Sequence, residues 1–196
     1  MAVREIRTLG DPILRTPAAP VPVETIEGAE IQALVTDLID TMYAANGAGL
    51  AAPQIGVSLA VAVAHSRPNA RYPYKPEHPL TVLINPTVTV LGDAVESIYE
   101  GCLSVPDLRG VVPRPMHVRV EALDRQGQPF TLEAQGLLAG TLQHELDHLD
   151  GVVFVDRVVD PTTFTSWANF SAFHQAPFVE KAMAINARYQ GGGGHG

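Results

Sequence analysis

The chain has 196 residues, enough for one domain with a sizeable core and cramped for two. Its 13 Lys and Arg against 21 Asp and Glu leave a net charge of −8, and an acidic chain without a basic run is a poor candidate for a dedicated nucleic-acid binder. No segment approaches the ~20 apolar residues that span a bilayer, and the single cysteine, Cys102, excludes an internal disulfide.

The first residues have neither a signal-peptide apolar run nor the composition of a transit peptide, so the expected compartment is the reducing cytosol. Ile31, Leu34, Val35, Leu38, Ile39, Met42 and Tyr43 recur at helical spacing and predict an amphipathic helix over 28–45, capped by Asn46-Gly47. Ser58–Ala64 reads as a strand. His65–Pro79 holds four prolines and must be irregular. Val82–Ile84, Val88–Leu91, Val95–Tyr99, Val118–Leu123 and Phe130–Ala134 read as strands, with Asp124–Gly127 as the turn between the last two. From Leu137 to Leu149 the pattern is helical again, with Gly151 at the C-cap. Its Leu137, Leu138, Ala139, Leu142, Leu146 and Leu149 cover most of the circumference, which predicts a helix buried on most sides. A third helix is expected after Asp160-Pro161, with Phe164, Trp167, Phe170, Ser171 and His174 on one face against the core. Residues 1–190 are expected to form one domain, and the Gly-rich 191–196 a flexible tail whose His195 plays no part.

A buried helix carrying two histidines and two acids needs a reason. In Gln143-His144-Glu145-Leu146-Asp147-His148, the two histidines lie four apart and share one helical face. They can ligate one metal ion, and Glu145 can reach a water bound to it. Two incidental histidines are the bland alternative, but unpaired ionisable groups cost several kcal/mol each to bury. A catalytic site of this kind usually has three protein ligands and one open position. Asp150, Asp156, Asp160 and His174 downstream could supply the third; upstream, Cys102 follows a strand-like run, and Gly101 would let the backbone approach the metal closely. A buried, inert thiol is the alternative reading of Cys102.

Three segments, in order, resemble the motifs of peptide deformylases: Gly47-Ala48-Gly49-Leu50-Ala51-Ala52-Pro53-Gln54, Glu100-Gly101-Cys102-Leu103-Ser104 and Gln143-His144-Glu145-Leu146-Asp147-His148. Leu9-Gly10-Asp11-Pro12-Ile13-Leu14, Asn85-Pro86, and Leu149 to Arg157 extend the likeness to about residues 5–160. The resemblance implies a compact α+β domain, with antiparallel sheets around a central helix bearing H-E-x-x-H. It implies a metal-dependent hydrolase that removes the N-formyl group from formyl-methionine at the start of nascent polypeptides, releasing formate. Cys102, His144 and His148 are then the metal ligands, Glu145 the general base and then acid, and Gln54 with the N–H of Leu103 the oxyanion donors. The cellular metal implied is Fe(II), with zinc, nickel or cobalt able to replace it. Ala48 stands where the family usually has a bulkier branched residue, so the local pocket is expected to be wider.

The residue types carry the same chemistry. A metal lowers the pKa of bound water, so hydroxide is available near neutral pH for attack on the formyl carbonyl. Glu145 takes and returns the proton. Gly47, Ala48 and Gly49 offer backbone against which an extended peptide can pair, and Arg109 meets either the substrate or Glu100. Asp147 is expected to orient a ligand imidazole, cap a nearby donor or lie at the surface. Arg114, Arg119 and Arg125 read as solvated charges, and His65, His78 and His117 as structural or exposed. The partners expected are formyl-methionyl peptides and, transiently, the ribosome, although no basic patch identifies it; no membrane is expected. The rival readings are an H-E-x-x-H peptidase with a downstream ligand, a silent metal- or peptide-binding module, and a structural zinc site, which lacks a fourth ligand.

Overall fold

The computed structural model describes residues 2–68 and 72–190; the tail at 191–196 lies outside them. In chain order the principal elements are α1 (Ala29–Ala44), β1 (Gly49–Ala51), β2 (Val61–Ala64), β3 (Thr81–Val90), β4 (Val95–Cys102), β5 (Val105–Pro115), β6 (His117–Leu123), β7 (Pro129–Gln135), α2 (Gly136–Asp147), β8 (Thr165–Ser166), α3 (Trp167–Asn169) and α4 (Gln175–Gln190). One antiparallel sheet runs β1-β2-β3-β6-β7 and a second β4-β5-β8. The fold is α+β, with the sheets around α2, as the sequence led us to expect.

The composition of β2 explains the layering. Successive strand residues face opposite sides of a sheet. Val61 and Val63 pack with Leu34, Val35 and Leu38 of α1. Ala62 and Ala64 pack with Ala139, Leu142 and Leu146 of α2. Alanines on that face, with Ala51 beside them, let α2 lie close to the sheet. Fully burying each valine is worth roughly 1.5–3 kcal/mol. The α1 helix stops where predicted: Asn46 takes the left-handed conformation (φ 53°), and Gly47 N–H closes onto Met42 O at 2.9 Å. That cap aims the next residues into β1, an edge strand whose outer side pairs with no other strand among the described residues.

Several expectations need correction. The strands expected at Val82–Ile84 and Val88–Leu91 merge into one, β3, which ends at Val90 and is broken in register between Ile84 and Thr87. At that bulge Asn85 adopts φ 50° and its amide bonds both backbone groups of Val21 at 2.8 Å. The strand predicted over Ser58–Ala64 shrinks to Val61–Ala64. Strands β1, β5 and β8 were not expected. Three prolines hid β5, yet past Arg109 it pairs only with β4. Val111 N–H, on the free edge, goes to Thr163 Oγ1, and Pro113 and Pro115 follow at the same spacing, where no ladder donor is needed.

The C-terminal helix begins at Trp167, capped by Ser166 Oγ, whereas Asp160-Pro161 starts only a short 3-10 turn, Pro161–Thr163. A π-turn, Phe170–His174, precedes α4. Of the face predicted there, Phe170 is buried and Trp167 half-buried, Ser171 and His174 are exposed, and Phe164 packs in a separate cluster with Val112 and Phe154.

Candidate metal centre

Helix α2 ends at Asp147, and His148 opens a 3-10 turn that keeps right-handed helical geometry. His144 and His148 therefore still share a face, with ring centroids 5.2 Å apart. Cys102 is the last residue of β4, in the turn that leads to β5. Two separate elements thus meet: the ligand-type atoms of Cys102, His144 and His148 all lie within 4.8 Å of one another. Cys102 Sγ is 3.2 Å from His148 Nε2. The downstream candidates are committed elsewhere, Asp156 to Arg15 and Asp160 to Thr162, while Asp150 and His174 are absent from the cluster.

The donor set fits a borderline divalent ion: one sulfur, two imidazoles and, among the described residues, no fourth side chain to close the shell. Beside it Glu145, buried, has an Oε2 with no hydrogen-bond partner, and so does the Nδ1 of buried His148. Native proteins rarely leave such atoms unpaired, and a water or ion explains them. Burial raises the Glu145 carboxyl above its ordinary value, as a proton acceptor working near neutral pH requires. Burial also pushes up the Cys102 thiol, but His148 and His144 outweigh it and bring the thiol down to about 5. A thiolate is the form that ligates.

The surrounding groups fix these positions. His144 Nδ1 lies 2.8 Å from Glu100 Oε2, which leaves Nε2 for a metal. Glu100 in turn accepts from Arg114 Nε at 2.7 Å and Nη2 at 3.0 Å. Burial alone would raise Glu100, yet the bonds from His144 and Arg114 hold it at about 2. Asp147 orients no imidazole: it accepts from Arg114 Nη1 and Arg157 Nη2, each at 2.7 Å. Arg114 is therefore a buried, paired charge, and the reading of it as solvated was wrong. Within β5, the two-residue period through Gly110, Val112 and Arg114 places it inside. Arg125 bonds Gln32 and Thr36, while Arg119 pairs with Glu133 at the surface as expected.

Gln54 is buried in the short turn Ala52–Ile55 that follows β1. Its Oε1 accepts from Ala51 N–H at 2.8 Å, which turns the amide nitrogen toward Ser104 Oγ (3.1 Å) and Cys102 Sγ (3.5 Å). A cleft of about 190 Å³ lies over this group, lined by Gly47, Ala48, Gly49, Gln54, Leu103 and Arg109 as well as Cys102, His144 and Glu145. His148 sits behind, fully buried. A Cβ on Gly49 would come within 2.4 Å of the Glu145 carboxyl, so this glycine lets the strand and the base lie side by side. Gly101 serves another purpose than expected: its bare Cα faces Leu108 O and Arg109 Cγ across the hairpin. Glu100 and Arg109 do not pair. Arg109 instead lies over the rings of Phe170, Trp167 and Tyr72. Lys75, Tyr72 and Trp167 also line the cleft and were missed, because they carry no motif. His65 bonds Tyr43, His78 bonds Thr81 and His117 approaches Glu133, which leaves them structural or peripheral.

The family model described as polypeptide deformylase matches residues 3–163. Peptide deformylase 2 of Ralstonia nicotianae is 49% identical over 162 residues, 83% of this chain and 90% of that protein. Peptide deformylase 1 of Bordetella pertussis is 46% identical over the same length, covering 83% and 91%. The Met-Ala-Ser-bound class I type b peptide deformylase of Acinetobacter baumannii superposes with a TM-score of 0.78 at 39% identity, over 80% of this chain and 99% of that one. A peptide deformylase from Legionella pneumophila has a TM-score of 0.70 at 36% identity and covers 98% of this chain and all (100%) of its own.

Proposed function

We propose a mechanism from one premise: the chain belongs to the polypeptide deformylase family, enzymes that remove the N-formyl group from new polypeptides. Its substrate is a formyl-methionyl peptide, bound extended along Gly47, Ala48 and Gly49 on the open edge of β1, with Arg109 at the cleft wall. The similar Acinetobacter baumannii protein has Met-Ala-Ser bound, which supports a short peptide as the ligand class. Residues 1–190 are taken as the catalytic domain and the cytosol as its place of work; among the described residues no helix is long and apolar enough to cross a membrane.

Cys102, His144 and His148 would hold one divalent ion, Fe(II) in the cell, with zinc, nickel or cobalt as substitutes. When bound, such an ion acidifies a water and polarises a carbonyl. Glu145 takes a proton from the water as its oxygen adds to the formyl carbon. Gln54 Nε2 and the N–H of Leu103 donate to the oxygen that becomes negative, one such donor typically being worth ~2.7–4 kcal/mol in the barrier. Glu145 then passes the proton to the amine nitrogen as the C–N bond breaks. Formate and a free N-terminus leave.

The reading rests on one observation: a Cys-His-His cluster with the unpartnered Glu145 oxygen beside it, at the floor of a cleft. Formate release from formyl-Met-Ala-Ser by protein purified without oxygen tests it. Glu145→Ala is expected to keep its metal and to lose turnover by roughly 10²–10⁴-fold. An equally active variant would overturn the role given to Glu145.

A further inference from the structure

The cleft has one wall made of motif residues and another that no motif describes. The second wall includes Tyr72, Lys75 and Trp167, with Arg109 from β5. Residues 72–75 are anchored by packing and hydrogen bonds. Tyr74 is buried and its ring meets Phe178 of α4 edge-on at 5.2 Å. Asn186 Nδ2 donates to Tyr74 O, and Lys75 N–H donates to Tyr72 O at 3.2 Å. Prolines at 73 and 76 stiffen the turn on both sides.

Two cations lie near one aromatic ring in this wall. Lys75 Nζ lies 5.1 Å from the Tyr72 ring centroid, and the Arg109 guanidinium carbon 5.7 Å from the same point. Neither has a carboxylate partner among the described residues. Arg109 is only 4% exposed, and its Nε, buried, has no hydrogen-bond partner. Of the nearby acids, Glu100 is held by Arg114 and His144, Asp107 accepts from the Trp167 N–H at 3.2 Å, and Glu145, whose carboxyl burial raises above its ordinary value, makes no ion pair with either cation. Burial lowers the Lys75 ammonium to about 8, and Arg109 adds to this while Glu145 and Glu100 oppose it. Like charges held together in a partly dry cleft favour an incoming anion. A solvated lysine without a role is the plain alternative, and the two differ in what the enzyme prefers to cleave.

We propose that Lys75, acting with Arg109, is a specificity-determining residue that selects formylated substrates bearing a carboxylate shortly after the formyl-methionine. The carboxylate is either an acidic side chain or the free C-terminus of a short formyl peptide. The proposal rests on the deformylase reading above.

The test compares kcat/KM for formyl-Met-Ala-Asp-amide, formyl-Met-Ala-Lys-amide, and formyl-Met-Ala-Ser with a free or an amidated terminus. The wild-type enzyme is expected to favour the aspartyl over the lysyl amide by roughly fivefold, mostly through KM. Lys75→Met should bring that ratio close to one and Lys75→Glu should invert it. A preference for the free over the amidated Ser peptide, lost in Lys75→Met, assigns the C-terminal carboxylate as a ligand; a preference confined to the aspartyl side chain assigns the side chain. Equal rates on all four peptides, or an acidic preference untouched in both Lys75 variants, would overturn the proposal while leaving deformylation intact. No formate from any peptide would instead overturn the deformylase reading, and this one with it.

Discussion

Two arginines five residues apart on β5 are almost equally buried, Arg109 at 4% exposure and Arg114 at 3%, and their charges are managed in opposite ways. Arg114 makes hydrogen bonds of 2.7–3.0 Å to Glu100 and Asp147, so both its neighbours and its position are locked. Arg109 meets no carboxylate among the described residues; it is wrapped by Phe170 at 4.3 Å and Trp167 at 4.9 Å, with only long bonds to Tyr72 and Tyr99. A cation bonded through each of its three nitrogens builds the scaffold behind the metal ligands. One held by ring faces keeps donors in reserve beside the cleft. The difference separates a residue that positions His144 from one that can meet a substrate.

The comparison breaks most sharply at Arg114. Arg114→Met leaves Glu100 and Asp147 buried without their shared cation, and removing one partner of a buried pair typically costs about 3–5 kcal/mol. Urea unfolding is expected to show a loss of that size. His144 loses the anchor of its Nδ1 partner at the same time, so metal affinity should fall as well. A variant as stable as the parent would mean that the paired cluster does not hold the site.

Arg109→Met should behave differently. Methionine keeps contact with the three rings and removes an Nε that has no partner. Stability is expected to change by less than about 1 kcal/mol, because lost cation–π attraction and relieved desolvation offset each other. The effect should show in KM for formyl peptides, up by about tenfold, with kcat largely kept. An Arg109→Met variant that unfolds as readily as Arg114→Met would erase the distinction between the two arginines.

The contrast also marks what could be read in the sequence. The helix over α1, the buried helix over α2, and β4, β6 and β7 follow from periodicity, which depends on a residue's own side chain. His144 and His148 were legible as a pair from their spacing, whereas the choice of Cys102 over the downstream candidates came from the resemblance; the three ligand-type atoms do lie together. The fate of Arg114 was not legible, because its partners lie 14 and 33 residues away and its strand was hidden by Pro113 and Pro115. Lys75 sits among four prolines over 65–79, where no periodicity exists, and only the packing of Tyr74 on α4 brings it to the cleft. Motifs reveal the chemistry shared by a family; the wall that tells one substrate from another depends on long-range packing.

The smallest expected effect concerns Lys75 and carries a definite sign. Burial, chiefly, brings the ammonium from its ordinary 10.5 to about 8, so the charged form is the disfavoured one in the folded chain. Below about pH 8 the lysine is charged in both folded and unfolded states, and the penalty is fully present. Between about 8 and 10.5 the folded protein gives up its proton first, and the penalty fades as pH rises. Lys75 keeps part of its surface in solvent, which screens the ammonium and leaves about 1 kcal/mol or less at neutral pH. Lys75→Met should therefore be the more stable protein at pH 7, by roughly that amount, with the advantage gone near pH 10.5. Denaturant midpoints of the two proteins across this range give the difference directly. An advantage that grows with pH would mean that the ammonium is stabilised in the fold by an anion, and Lys75 would then belong with Arg114 rather than with Arg109.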